Sequence, residues 1–122
     1  MTGLLVAVAG GFGAVVRFLV DTWIGHRSQG SPVPLGTMAI NVTGSFLLGL
    51  ITGWWMFRTG DPGWKLVLGT GFLGGYTTFS TATVEAARLT RAGRGWTVLV
   101  HVGGMLLLSV GGAALGVWLG GF

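Results

Sequence analysis

The chain has 122 residues, 51% of them hydrophobic and only 8% charged, and its mean hydropathy of +0.76 leaves too little polar surface to cover a water-soluble globule. Seven Lys and Arg stand against three Asp and Glu, mostly at segment ends and in connectors where basic residues meet lipid headgroups, so the pI near 11.3 does not point to nucleic acid. The absence of cysteine excludes disulfides, Cys-ligated iron–sulfur clusters and thiol catalysis, and no paired-carboxylate or dense metal-ligand pattern points to an enzyme.

Four stretches, residues 3–24, 35–57, 66–87 and 96–122, reach or approach the roughly 20 apolar residues that cross a hydrocarbon core. They predict an all-α membrane protein, one four-helix transmembrane domain over residues 1–122, with short connectors at 25–34, 58–65 and 88–95. The first stretch lacks a basic n-region and precedes three equally apolar segments, so it reads as a membrane helix and not as a secretory signal. Near its end, Arg17 and Asp21 are four apart and can pair.

The second stretch repeats Thr37, Asn41, Ser45, Gly49 and Gly53 at every fourth position, which puts a polar half and a small half on one face. In lipid the polar half must meet protein, water or an ion. Two readings follow: hydrogen-bonded glue between helices, or the lining of a pathway in which the Asn41 amide offers N–H donors without a charge.

In the third stretch, Gly74, Gly75, Tyr76, Thr77, Thr78, Phe79, Ser80 and Thr81 crowd glycine and hydroxyl residues into an apolar span. A helix broken near Gly74 would free carbonyls that lipid cannot satisfy, and opposed breaks of two antiparallel subunits could form a carbonyl ring for a small hard cation. A kinked helix with Ser and Thr bonding back to the backbone is the other reading. Phe79 either packs or presents its electropositive ring edge to an anion. Glu85 can pair with Arg88 or stand at the mouth of a pathway.

The fourth stretch sets His101, Met105 and Ser109 on one face, and Gly112, Gly116 and Gly120 at the spacing of close helix contact. His101 reads as an interfacial hydrogen-bonder or as a proton relay. With four crossings, Arg27, Arg88, Arg91 and Arg94 share one side, and Arg58 and Lys65 share the other with both termini. This small bias leans the first and third connectors toward the cytoplasm, and a subunit so nearly balanced can insert either way. Four helices are too small a wall to enclose a pathway, so an antiparallel dimer, of identical or of related chains, completes one.

Three strings in order resemble the Fluc/CrcB fluoride channel family. Gly10, Gly11, Gly13, Ala14 and Arg17 resemble its GGxGAxxR opening, and Pro34, Gly36, Thr37, Asn41, Gly44 and Phe46 its PxGTxxxNxxGxF. Gly71, Phe72, Gly74, Gly75, Thr77, Thr78, Phe79, Ser80, Thr81 and Glu85 resemble its GFxGGxTTFSTxxxE. The resemblance implies a dual-topology antiparallel dimer in the cell membrane, passive export of toxic fluoride, and a structural sodium ion at the dimer centre. Gly74 and Thr77 would supply carbonyls to the sodium, and Asn41, Phe79, Ser80, Thr81 and Ser109 would line the fluoride pathways. The family's usual second Phe is Ala82 here, and Met105 replaces a commonly polar residue. Ala82 suggests the alternative of a non-conducting partner subunit. A small multidrug exporter shares the size and topology, but Asp21, Asp61 and Glu85 are the only acids and none lies mid-span in the first helix.

Overall fold

The computed structural model describes residues 2–31, 33–58 and 62–122; Asp61 and the middle of the second connector lie outside the described residues. Helix α1 covers Thr2–Arg27 and α2 covers Leu35–Phe57. The third stretch begins as α3, Pro62–Lys65, widens into a π-helical run, Leu66–Leu73, and tightens again in the turn α4, Gly74–Tyr76. Thr77 is extended (φ −76°, ψ 158°), and helix resumes as α5, Ser80–Arg91, and then α6, Gly95–Gly120. Among the described residues there is no strand.

Three helices, Thr2–Arg27, Leu35–Met56 and Gly95–Gly120, are each long and apolar enough to cross a membrane. The expected fourth span, 66–87, is not one helix. Gly74 and Gly75, expected to mark an interruption, are themselves helical, and the non-helical residues are Thr77 to Phe79. The physical reason is that Gly75 serves close packing: a Cβ there would run into the Gly10 carbonyl of α1, and one at Gly13 into the Phe72 carbonyl. Gly71 lies close to Val6 and Ala9, though less tightly: a Cβ there would be 3.0 Å from the Val6 carbonyl. The wide turns bring the Gly74 amide to the Gly69 carbonyl, five residues back, as a π-helix requires.

Helices α2 and α6 run parallel along a seam of small residues. A Cβ at Gly49 would strike the Ala113 carbonyl, at Gly53 that of Val117, at Gly116 that of Phe46 and at Gly120 that of Leu50. Partners advance in step: Gly49 with Ala113 and Gly53 with Val117 keep the same spacing as Asn41 with Met105, 64 residues, and Phe46 with Gly116 and Leu50 with Gly120 share a second, longer one. Without a hydrophobic drive between helices in lipid, this close approach supplies the van der Waals contact that holds them. Two parallel neighbours in one chain need a return between them, and the third stretch supplies it. Between α5 and α6 the chain turns at Gly93, whose φ of 75° suits glycine, with the Arg94 amide donating to the Leu89 carbonyl (3.0 Å) as in a Schellman cap.

The burial pattern is inverted relative to a soluble protein. Large apolar side chains from Leu4 to Trp23 on α1 and from Leu106 to Trp118 on α6 are exposed, whereas Thr37, Thr78 and His101 are buried beside Ile40, Leu73 and Tyr76. Basic residues cap this apolar belt. Arg27 lies over the Trp23 ring (4.6 Å) at one end of α1, and Arg58 over Trp54 (5.5 Å) and Lys65 over Trp55 (4.6 Å) at the far end of α2, the arrangement of a headgroup interface. Arg58 also donates to the Gly120 carbonyl (3.0 Å), satisfying one of the carbonyls that a helix C-terminus leaves open.

Candidate functional site

The backbone of Thr78 has no helical partners of its own, and α2 provides them. In a continuous helix the Thr78 amide would donate to the Gly74 carbonyl; here it donates to Asn41 Oδ1 (2.9 Å), and Asn41 Nδ2 donates back to the Thr78 carbonyl (2.8 Å). The carboxamide therefore pairs with one residue as a neighbouring strand would. The second Nδ2 proton points to Met105 Sδ (3.2 Å), a weak acceptor. Of the two readings of the α2 polar stripe, Asn41 satisfies the first directly.

Around this clasp the restarted helix is stitched locally. The Thr81 amide donates to Thr78 Oγ1 (3.2 Å), and Thr78 Oγ1 and Ser80 Oγ are 3.4 Å apart, a Thr cap on α5. Thr77 Oγ1 donates to the Leu73 carbonyl (3.0 Å), while its own carbonyl accepts from Arg17 Nη1 (3.3 Å). Arg17 was expected to pair with Asp21. It reaches instead to the carbonyl of the extended residue, and among the described residues no ion pair forms; Asp21 packs against Gly36.

These residues border an open groove of about 510 Å³ lined by Asn41, Gly44, Ser45, Gly74, Thr77, Thr78 and Phe79, together with apolar residues of the π-helical run. Phe79 is 86% exposed, so its ring lies on the outside of the chain beside the groove. Ser80 and Thr81 are exposed as well. Ser109, on α6, is not among the residues lining the groove; its Oγ is buried and without a hydrogen-bond partner. Asn41, Phe79, Thr77 and Gly74 are thus brought together at one groove; Ser80 and Thr81 continue along α5, and Ser109 stays outside the groove lining. Ala82, where the family resemblance places a second Phe, is 6% exposed and turns its methyl inward.

Among the described residues no group of three or more His, Cys, Asp or Glu side chains is arranged for a metal ion. A cation here would be held by neutral oxygens. The Gly74 carbonyl, relieved of the Thr78 amide, and the Thr77 carbonyl fit that chemistry, which suits hard cations, although Arg17 already occupies one lone pair of Thr77.

Sequence reasoning missed three partnerships: Asn41 with Thr78, Arg17 with Thr77, and Thr37 Oγ1 with Glu85 Oε1. Each joins residues 37 to 60 positions apart. Within one segment only the helical repeat of Thr37 and Asn41 signalled that this face meets something polar.

Fold and groove together define a small helical membrane protein whose polar residues are directed inward and toward one open face. The chain matches the family model described as CrcB-like protein, Camphor Resistance (CrcB), over residues 4–121, and it belongs to that family. It is 52% identical over 118 residues to fluoride-specific ion channel FluC 1 of Leifsonia xyli subsp. xyli, covering 97% of this chain and 85% of that protein. It is 50% identical over 121 residues to fluoride-specific ion channel FluC 2 of Cutibacterium acnes, covering 98% of each. FluC 2 of Bacillus cereus strain ATCC 14579 is 42% identical over 118 residues, covering 97% of this chain and 96% of that protein.

Proposed function

We propose that this chain is a subunit of a fluoride-selective channel of the cell membrane that lets fluoride leave the cytoplasm passively. Relatives bearing that name match it from end to end, and the observation that carries the reading is the groove in which Asn41, Thr78 and Phe79 converge. Fluoride holds its water tightly, so a pathway must replace that shell with N–H, O–H and ring-edge donors while avoiding a fixed charge that would trap the ion. Asn41, the hydroxyls of Ser80 and Thr81, the unpartnered Ser109 Oγ and the Phe79 ring supply those donor types.

The functional unit is an antiparallel pair of chains. The polar groups of Asn41, Ser45, Thr77 and Thr78 that border the open groove are costly to leave to lipid, and a second chain inserted the other way covers them, and the exposed Phe79, with the same face. In such a pair the third stretch crosses the bilayer as a discontinuous element, and the Gly74 and Thr77 carbonyls of both chains converge on the two-fold axis. Those carbonyls would hold a sodium ion, which supplies fixed positive charge between the non-helical segments.

The test is fluoride efflux from liposomes holding only this purified chain, read with a fluoride electrode and compared with chloride. Fast efflux with little chloride release is the expected outcome. A folded dimer that releases neither ion would overturn the reading of a self-sufficient channel.

A further inference from the structure

The chain's seven Lys and Arg divide by what they touch. Arg17 donates to the Thr77 carbonyl and Arg58 to that of Gly120, while Arg27 lies over the Trp23 ring and Lys65 over that of Trp55. The other three, Arg88, Arg91 and Arg94, are all exposed, and among the described residues none of them meets a carboxylate, a carbonyl or an aromatic ring.

The fold gathers these three at one turn. Arg88 and Arg91 are three apart at the end of α5 and so share a helix face. The chain reverses at Gly93 (φ 75°), and the Arg94 amide returns to the Leu89 carbonyl (3.0 Å), which keeps the Arg94 backbone beside the last turn of α5. Every residue from Thr90 to Trp96 is exposed. No acid follows Glu85 in the sequence, and Glu85 accepts from Thr37 of α2, so the cluster keeps its charge. Trp96, in the first turn of α6, is 76% exposed, and from Leu99 onward α6 presents apolar side chains outward. The turn therefore stands where the chain leaves the hydrocarbon, with an indole at the height where tryptophan meets headgroups.

We propose that the α5–α6 turn binds an anionic phospholipid, with Arg88, Arg91 and Arg94 on the headgroup phosphate and Trp96 beside the upper acyl chain. A guanidinium matches two phosphate oxygens at once. A zwitterionic headgroup brings its own cation, which three arginines repel; phosphatidylglycerol brings none. The preference belongs to this turn because Arg58 and Lys65, at the other end of α2, are engaged within the chain. In the antiparallel pair proposed above, one such turn faces each leaflet. The site requires a membrane-spanning chain and is independent of what the chain conducts.

The experiment is fluorescence quenching of the full chain in vesicles of phosphatidylcholine with a minor share of phosphatidylglycerol, one lipid or the other brominated on its upper acyl chain. Bromine quenches an indole it touches, and the difference between wild type and Trp96→Phe isolates the Trp96 signal. Per brominated molecule, phosphatidylglycerol should quench Trp96 at least about fivefold more than phosphatidylcholine, the enrichment that a single basic residue gives near an anionic surface. Arg88→Gln, Arg91→Gln and Arg94→Gln together should abolish the excess, and Arg58→Gln with Lys65→Gln should preserve it. Equal quenching by the two lipids, an excess that survives the triple replacement, or one lost equally in the Arg58 and Lys65 variant overturns the proposal. Inorganic phosphate at matched ionic strength should leave the excess in place; if it removes it, the turn takes the free anion and the lipid assignment falls. The triple variant should unfold in detergent at the wild-type temperature. A destabilised variant would mean that these arginines serve partners inside the chain, and it overturns the proposal as well.

Discussion

Asn41 and Phe79 border the same groove but differ in what removing them should do. Replacing Asn41 by Ala takes partners from the Thr78 amide and carbonyl at once, and each buried backbone group left unpaired costs about 1–3 kcal/mol. The variant should lose both stability, seen as earlier unfolding in denaturant, and fluoride efflux. Phe79 is on the outside of the chain, where truncations usually change the stability of the subunit by less than about 0.5 kcal/mol. Phe79→Ala should therefore keep the unfolding midpoint of the monomer and lower efflux at least about tenfold, as loss of about 1.4 kcal/mol at the barrier gives. Equal loss of stability in both variants would mean that the ring packs and does not conduct.

The glycine seam makes a sharper contrast at the level of helices. Gly116→Val would drive a side chain into the Phe46 carbonyl and should cost about 1–3 kcal/mol or more in overpacking. Gly111→Ala, five residues earlier on the same helix and facing open space, should be neutral or slightly stabilising, since Ala favours helix over Gly. Thermal unfolding in detergent reads both. This seam was legible from sequence, because the repeats Gly49, Gly53 and Gly112, Gly116, Gly120 lie within single segments and small residues at that spacing have one main use in lipid. The third stretch was legible only in outline. Gly74 and Gly75 look like a breaker, yet the space Gly75 frees is taken by the Gly10 carbonyl of α1, and helix geometry fails from Thr77, where the next residue, Thr78, is within reach of a carboxamide 37 residues back. Nothing local in the sequence distinguishes those outcomes, and nothing in residues 66–73 announces wide helical turns. The expected Arg17–Asp21 pair failed for a related reason: a bare carbonyl at Thr77, created by tertiary structure, competed for the guanidinium.

For the molecule as a whole, the balance of charge between its two ends decides how it lies in the bilayer. Arg27, Arg88, Arg91 and Arg94 oppose Arg58 and Lys65, a small difference, and the proposed antiparallel pair requires that both orientations occur. Because the chain has no cysteine, Gln29→Cys, on an exposed connector, provides a single label. An impermeant thiol reagent added to whole cells should modify about half of the chains if they insert both ways, and all or none if the orientation is fixed. Insertion also has an order in time. The α2–α6 seam joins helices separated in the chain by the whole third stretch, so a newly made α2 waits in the membrane with Gly49 and Gly53 bare until α6 emerges from the ribosome. During that wait its small-residue face is open to any passing helix, as unfinished chains generally are. The speed with which α6 follows α2 into the bilayer thus becomes part of what makes the finished subunit pair with itself before it pairs with another.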